Sequence, residues 1–457
     1  MRKNTRPKAD ETTPEPLEIK AASPHKQLSF LPPTALTADP DNPRKHSRAQ
    51  IRAIAKSIET FGFTAPILAD GNKRILAGHG RREAAILLGV AQVPVLFLDD
   101  LTEAQARAYL LADNKLTDRS TWDDPKVAAH LKELSDLALD FDIEATGFEQ
   151  PEIDFRIQSL EETDTIDRAD EFEFASGPAV SMVGDLWHLE KHRIYCGNAL
   201  DHDSYAALLK DEKAAAAFTD PPYNVKIGGH VSGKGRITHR EFPMAVGEMT
   251  EEEFTDFLNR GLTSIRARCA PGSLIYACMD WRHMTEILAA GQASGCSLVN
   301  VCIWAKSNAG MGSLYRSQHE FIFVFRNGTE AHQNNIQLGR FGRNRSNVWH
   351  YPGANAFARK SSRTALEIHP TVKPILLVSD AILDSTKLND IVLDPFLGSG
   401  TTLLSAERTR RRCYGIELDP LYVDTAIERW QRMTGRKAHS PFGETFEMIK
   451  AKRKAAL

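Results

Sequence analysis

The stretch DIVLDPFLGSGTT, residues 390–402, joins an apolar run, an acid, a proline, two spaced glycines and the start of a helical segment. DIVL has the length and composition of a buried strand, and TTLLSAERTR after the glycines repeats apolar residues at helical spacing. Gly398 and Gly400 let the backbone pass close to a ligand, and the helix start offers unpaired N–H groups. A second strand, CYGIE (413–417), follows and ends on Glu417. An acid at the tip of the second strand of such a unit is placed to accept bonds from ribose hydroxyls. No Lys-Ser/Thr pair closes a phosphate loop, and Asp394 and Phe396 before the glycines suit a ligand without phosphates. A tight turn with a surface acid is the alternative for this stretch alone.

Outward from this unit, short apolar runs alternate with helical segments. AAAAFTD (214–220), SLIYAC (273–278), LVNVCIWA (298–305) and EFIFVFR (320–326) read as strands. FTDFLNRGLTSIRARC, HMTEILAAGQASG and PILLVSDAILDST read as helices between them. Such alternation predicts an α/β fold with a largely parallel sheet covered on both faces. Upstream, a helix at 49–61, a hairpin of PILAD and RILAG, a helix at 79–89, a strand VPVLFLD and a helix at 101–116 predict a small separate α+β unit. The expected organisation is a disordered leader (1–27), the α+β unit (28–118), a helical connector and acidic solvated linker (119–177), the main domain (178–435) and a basic tail (436–457).

The chain has 457 residues, 42% hydrophobic and 26% charged, with a formal net charge of −3. These values describe a globular protein of more than one domain, without global basicity. Six cysteines are scattered with no CxxC, so buried thiols are expected and neither a zinc site nor a disulfide framework. The first residues lack an apolar signal core, and no apolar run approaches membrane-spanning length. A cytoplasmic protein with no membrane partner and no metal is the expectation.

FTDPPYN, residues 218–224, sets an acid and a phenol on either side of two prolines. The prolines forbid a helix or a central strand, so the chain turns rigidly here. An exocyclic amine on an aromatic ring is a poor nucleophile because its lone pair is delocalised. The Asp220 carboxylate and the Pro221 carbonyl, held apart by Pro221 and Pro222, can accept both N–H groups of such an amine and free that pair. Tyr223 can stack on the ring that carries it.

DPPYN, the FLGSGTT loop and HPTVKP (369–374) together resemble the amino-group DNA methyltransferases. With the acceptor motif first and the loop last, the order is similar to their permuted β group. GDLWHLEKHRIYCGNAL (184–200), KSNAGMG…HEFIFVF (306–325) and RNRSNVWHYP (343–352) extend the resemblance over about residues 180–435. It implies a Rossmann-like sheet, S-adenosyl-L-methionine as cofactor, and methyl transfer to N6 of adenine in double-stranded DNA with base flipping. DPPY more often marks adenine enzymes, and SPPY marks N4-cytosine ones. The alternatives are an N4-cytosine enzyme, an RNA base methyltransferase, or a DNA-binding protein whose methyltransferase half is vestigial. The resemblance implies catalytic roles for Asp220, Pro221, Pro222 and Tyr223. It implies cofactor contact for Asp394, Phe396, Gly398, Gly400, Thr401, Glu417 and Lys373. Asn198 stands where an acid often follows the CG pair of the lead-in.

Residues 331–366 carry Arg340, Arg343, Arg345, Arg359, Lys360 and Arg363 with no acid, interleaved with Phe341, Trp349, Tyr351 and Phe357. Such a stretch suits phosphate contact, and Arg340, Arg343, Arg345, Lys360 and Arg363 are the candidate DNA-binding residues. An ordinary solvated loop is the alternative for 331–366; the basic, Gly-rich segment 226–240 is a second candidate, as a mobile segment that orders over DNA. NPRKHS (42–47) and AGHGRREAAILLG (77–89) resemble the N-terminal domain of ParB-like partition proteins. That resemblance implies a nucleotide or phosphate near Arg81 and Arg82 at a Gly-led helix start. His79 replaces the usual acid, so a non-catalytic docking module is expected. A homodimer is a further open partnership.

Overall fold

The computed structural model describes residues 27–117, 120–160, 168–170, 172–175, 177–225, 247–307, 309, 314–337, 345–353 and 373–455. The chain divides into two units, Met1–Asp123 with Asp140–Phe148, and Asp124–Leu139 with Glu149–Leu457.

In the first unit, β1 (Leu28–Leu31), β2 (Ile67–Ala69), β3 (Ile75–Ala77) and β4 (Val93–Phe97) form a sheet in the order β1-β4-β2-β3. Helices α1 (Arg48–Phe61), α2 (His79–Leu87) and α3 (Glu103–Thr117) complete it. Ser47 caps α1 by accepting from the Gln50 N–H, and Gly62 ends it with φ 75°. The core is Leu36, Ile67, Ile75, Ala85, Val93 and Val95. β1, which the sequence marks only as the onset of patterning, pairs with β4.

The second unit contains α4 (Asp124–Asp136), α5 (Gln150–Gln158), β5 (Leu186–Leu189), β6 (His192–Cys196), α6 (His202–Leu209), β7 (Ala214–Thr219), α7 (Glu251–Arg268) and β8 (Cys269–Met279). It continues through α8 (Met284–Ala293), β9 (Cys296–Lys306), β10 (His319–Asn327), β11 (Val348–Tyr351), α9 (Ile375–Ser385), β12 (Ile391–Asp394), α10 (Thr401–Arg408), β13 (Arg412–Glu417), α11 (Pro420–Thr434) and α12 (Phe446–Ala455). The sheet order is β11-β9-β10-β8-β7-β12-β13-β6-β5. Strands β8, β7, β12, β13 and β6 run parallel, while β10 and β5 are antiparallel to their neighbours. The sheet is therefore mixed, with a parallel centre. β7, made almost wholly of alanine, is a strand despite its helical propensity. It lies between β8 and β12 with both faces buried, where small side chains let helices close on either side.

Two expected boundaries move. Asp170 and Phe172, in the stretch expected as solvated linker, pack within the second unit. Asp170 accepts from the Ile375 N–H at the start of α9 (3.0 Å), and Phe172 lies under the Arg429 guanidinium at 3.8 Å. The expected basic tail is part of the fold. Phe446 is fully buried against Trp187, and Arg453 pairs with Asp185 at 2.6 Å. The acidic and basic residues of both segments hide the apolar anchors that hold them. All six cysteines are free and buried, as expected.

Candidate active site

The site lies where the parallel strands end. Val392 and Leu393 of β12 pair with Ala216 and Ala217 of β7, so Asp220 and Asp394 leave the same sheet edge on adjacent strands. The glycine loop hangs from β12. Asp394 is 3% exposed; its carboxylate accepts from the Phe396 N–H (3.1 Å) and the Thr402 hydroxyl (2.6 Å), bracing both ends of the loop. Gly400, at φ 87°, caps α10, and a Cβ there would sit 2.7 Å from the Cβ of Ala426, so only glycine lets α10 approach α11. Gly398 has φ 53° with no atom within 4 Å of a would-be Cβ, so its face is open. Arg429 holds the turn between them, donating to Ser399 O at 2.8 Å.

Glu417 reaches back to this loop. Its Oε2 accepts from the Gly398 N–H at 2.7 Å and its Oε1 from the Asp419 N–H at 2.9 Å. Burial pushes the Glu417 and Asp394 carboxyls up to about 7 each, although their hydrogen-bond donors oppose the shift. Thr401 is buried in the first turn of α10. Beside the loop, a small apolar pocket is lined by Thr219, Pro221, Phe257, Leu262, Ile287 and Phe396, among others. An open glycine face, two buried carboxylates and an apolar lining with Phe396 fit a nucleoside-type cofactor that carries no phosphate.

At the end of β7, Asp220 sits in a network of charge. Its Oδ1 accepts from the Tyr223 hydroxyl at 2.7 Å and its Oδ2 from Lys373 Nζ at 2.6 Å. Lys373, 4% exposed, also pairs with Glu320 at 3.0 Å, and Lys306 closes the series on the other oxygen of Glu320. Two carboxylates and two ammonium groups alternate, so the buried cluster is close to neutral. Burial raises the Asp220 carboxyl above its ordinary range, against the pull of Lys373. Burial raises Glu320 too, but Lys373 and Lys306 outweigh it and hold that carboxyl at about 2. Burial works to lower the Lys373 ammonium, and Asp220 and Glu320 together hold it raised and charged. The prolines confine the turn; Pro221 is buried, and Asn224, at φ 52°, holds the segment after it by accepting from the Gly247 and Met249 N–H groups.

The resemblance implies cofactor contact for Lys373, and its ammonium lies on Asp220. Glu320 and Lys306 were not singled out, although each stands at the head or foot of an otherwise apolar strand. Asn198 turns back on its own chain, accepting from the Leu200 N–H at 2.9 Å. Arg345 corrects the DNA-contact set. It pairs with Asp380 (2.5 Å) and Asp384 (2.8 Å) of α9 and stacks on Trp349 at 5.0 Å, so its charge is neutralised inside the fold. Arg340, Arg343, Lys360, Arg363 and segment 226–240 lie outside the described residues. In the first unit, Arg82 is likewise corrected as an anion ligand. Its Nε donates to Pro33 O and Leu36 O, both at 3.1 Å, and its Nη1 pairs with Glu83. Arg81 instead folds over Gly78, which has φ 102° and caps α2. Among the described residues no group of His, Cys, Asp and Glu can hold a metal ion, and no helix is long and apolar enough to cross a membrane.

A parallel-centred sheet with a glycine loop on one strand and a rigid acid–proline–proline–tyrosine corner on the next defines the amino-methyltransferase class. Comparison with known proteins gives the family. Residues 214–428 match the N6/N4-type family described as DNA methylase; residues 126–183 match the ParB-methyltransferase HTH domain, and residues 18–115 the ParB N-terminal domain. The chain thus contains a domain of the N6/N4 DNA methylase type, together with a ParB N-terminal domain and a helix-turn-helix domain of the ParB–methyltransferase type. The Type II methyltransferase M2.LlaDCHI of Lactococcus lactis subsp. cremoris is 29% identical over 237 residues, covering 50% of this chain and 86% of its own. Among solved structures, an M1.HpyAVI–SAM complex is 23% identical, covers 52% of this chain and 98% of its own, and has a TM-score of 0.37. C-terminally truncated ParB from Caulobacter crescentus with CTP-γ-S is 19% identical, covers 32% of this chain and 82% of its own, and has a TM-score of 0.27.

Proposed function

We propose that the protein is a site-specific, S-adenosylmethionine-dependent methyltransferase acting in the cytoplasm on N6 of adenine in duplex DNA. The reading is carried by Asp220, anchored through both oxygens by Tyr223 and Lys373, standing one strand from the open Gly398 loop. The cofactor supplies an electrophilic methyl group on a sulfonium. Gly398, Glu417 and Phe396 bind and orient it, and Asp394 and Thr402 keep the loop in shape. The target base turns out of the duplex to reach the pocket, and the Tyr223 ring supports it. Asp220 and the Pro221 carbonyl accept the two amine hydrogens, which localises the lone pair on nitrogen for in-line attack. As nitrogen gains the methyl it becomes cationic and sheds one proton. Asp220, its carboxyl raised by burial, is placed to receive it. Lys373 and Glu320 are positioning residues that fix the rotamer of Asp220.

An aspartate rather than a serine at position 220 supports adenine over cytosine as the target. Arg340, Arg343, Lys360 and Arg363 are assigned to DNA phosphates, and the Arg81 end of α2 to a phosphate or nucleotide anion. The test is modification-sensitive sequencing of DNA from cells expressing the chain. N6-methyladenine at a fixed sequence is the expected result; N4-methylcytosine would replace the adenine assignment, and unmodified DNA would sink the methyltransferase reading. Asp220→Ala should lower transfer by at least about 10³-fold while cofactor affinity by calorimetry stays within about threefold.

A further inference from the structure

We propose that Ala169 and Phe172, in the acidic stretch ahead of β5, act through Arg429 as a clasp that fixes the cofactor loop from behind and sets the affinity for S-adenosylmethionine. The inference rests on the S-adenosylmethionine reading above. Gly398 and Gly400 give the loop its shape, at φ 53° and φ 87°, but glycines offer no side chain by which a turn can be held. The hold comes from α11. Its Ala426 lies against Gly400, and Arg429, 4% exposed, donates from Nη1 to Ser399 O at 2.8 Å and to Ser399 Oγ at 3.0 Å.

The other arm of the same guanidinium belongs to the clasp. Arg429 Nη2 donates to Ala169 O at 2.9 Å, and the Phe172 ring lies 3.8 Å from the guanidinium carbon. A guanidinium is a planar fork, so holding one nitrogen and the face fixes where the other nitrogen points. Here the other nitrogen points at the residue between the two loop glycines. Without Ala169 and Phe172 a buried cation would lose part of its support and turn towards water, leaving Ser399.

Neighbouring contacts keep the clasp in register. Tyr422, Thr425 and Arg429 share one face of α11 by helical spacing. Phe174 meets Tyr422 edge-on at 5.3 Å, and the Ala175 N–H donates to Thr425 Oγ1 at 3.1 Å. Asp170 accepts from the Ile375 N–H at 3.0 Å, which ties the same stretch to the start of α9, just beyond Lys373. The acidic stretch is therefore joined to both halves of the site, and Arg429 is a positioning residue.

The test is calorimetry of S-adenosylmethionine binding to full-length variants. Phe172→Ala should weaken the affinity about 5- to 20-fold, while kcat at saturating cofactor stays within about threefold of wild type. Arg429→Lys keeps the charge and loses the fork, so it should show the same loss and holds the test open if Phe172→Ala does not fold. The two together should lose no more than the larger single change, because they act through one joint. Phe446→Ala empties a comparable volume against Trp187 of the edge strand β5 and should leave the affinity within about twofold of wild type. Unchanged affinity in the Phe172 and Arg429 variants, additive losses, or an equal loss in Phe446→Ala would overturn the clasp while leaving the cofactor reading intact. A wild-type chain that binds no S-adenosylmethionine would bring down the cofactor reading and the clasp together.

Discussion

Helices α2 and α10 start in the same way and are lined oppositely. Each follows a strand, each is capped by a glycine in the left-handed region, Gly78 at φ 102° and Gly400 at φ 87°, and neither glycine offers a side-chain cap. Both leave backbone N–H groups pointing past the helix end. Around α10 the neighbours are the carboxylates Asp394 and Glu417; around α2 it is the Arg81 guanidinium. The backbone device is shared, and the charge of the lining is opposite. Acids that accept hydroxyl bonds exclude phosphates, whereas a guanidinium admits them.

This contrast can be broken directly. Glu417→Arg gives the α10 cradle the lining of α2. It should weaken S-adenosylmethionine binding by more than about 100-fold, equivalent to about 2.7 kcal/mol by calorimetry, because hydroxyl acceptors are replaced by a donor. Unchanged affinity would remove Glu417 from the ribose site. The two cap glycines differ in what surrounds them. Gly400→Ala should cost about 2–4 kcal/mol in denaturant unfolding, since its Cβ would lie 2.7 Å from the Cβ of Ala426. Gly78→Ala should cost only about 1 kcal/mol, because the nearest atoms, at 3.0 Å, are the movable end of Arg81.

A smaller effect follows from titration. Burial holds Asp394 and Glu417 near 7 in the folded chain, above their unfolded values near 4. Over that interval the folded state binds more protons than the unfolded one, so stability falls as pH rises and levels off above about 7. Thermal unfolding without cofactor should show this slope, and Asp394→Asn should flatten it; an unaltered profile would mean that Asp394 titrates normally. The mildest change is Arg81→Ala, which should leave methyl transfer intact while weakening inorganic phosphate binding to the chain about tenfold. Equal phosphate affinity would unlink Arg81 from anion binding.

The same contrast explains how far the sequence could be read. The glycine loop, the strand-end acids and the proline corner are motifs whose own residues lie close together in sequence. They were therefore legible, as were the alternating elements of the parallel centre. Arg345 and Arg82 were misread because a local count of cations cannot see Asp380 and Asp384, or the carbonyls of Pro33 and Leu36, which arrive from distant parts of the chain. Lys373 was found, but its partner could not be: Glu320 stands at the head of EFIFVF, where one acid before an apolar strand was the available sign. Phe446 was hidden by the lysines around it, and β11 by its brevity.

The strands bearing the acceptor corner and the cofactor loop are neighbours in the sheet although the chain reaches them far apart. Asp394 leaves the ribosome roughly 170 residues after Asp220, on the order of ten to thirty seconds later at roughly 5–20 residues per second. During that interval the edge of β7 that β12 covers in the folded sheet lacks that partner. A chain cut short within it would carry the whole acceptor corner and no place for the methyl donor. The site as folded therefore requires both strands side by side, and its parts are all present only once β12 and its loop have been made.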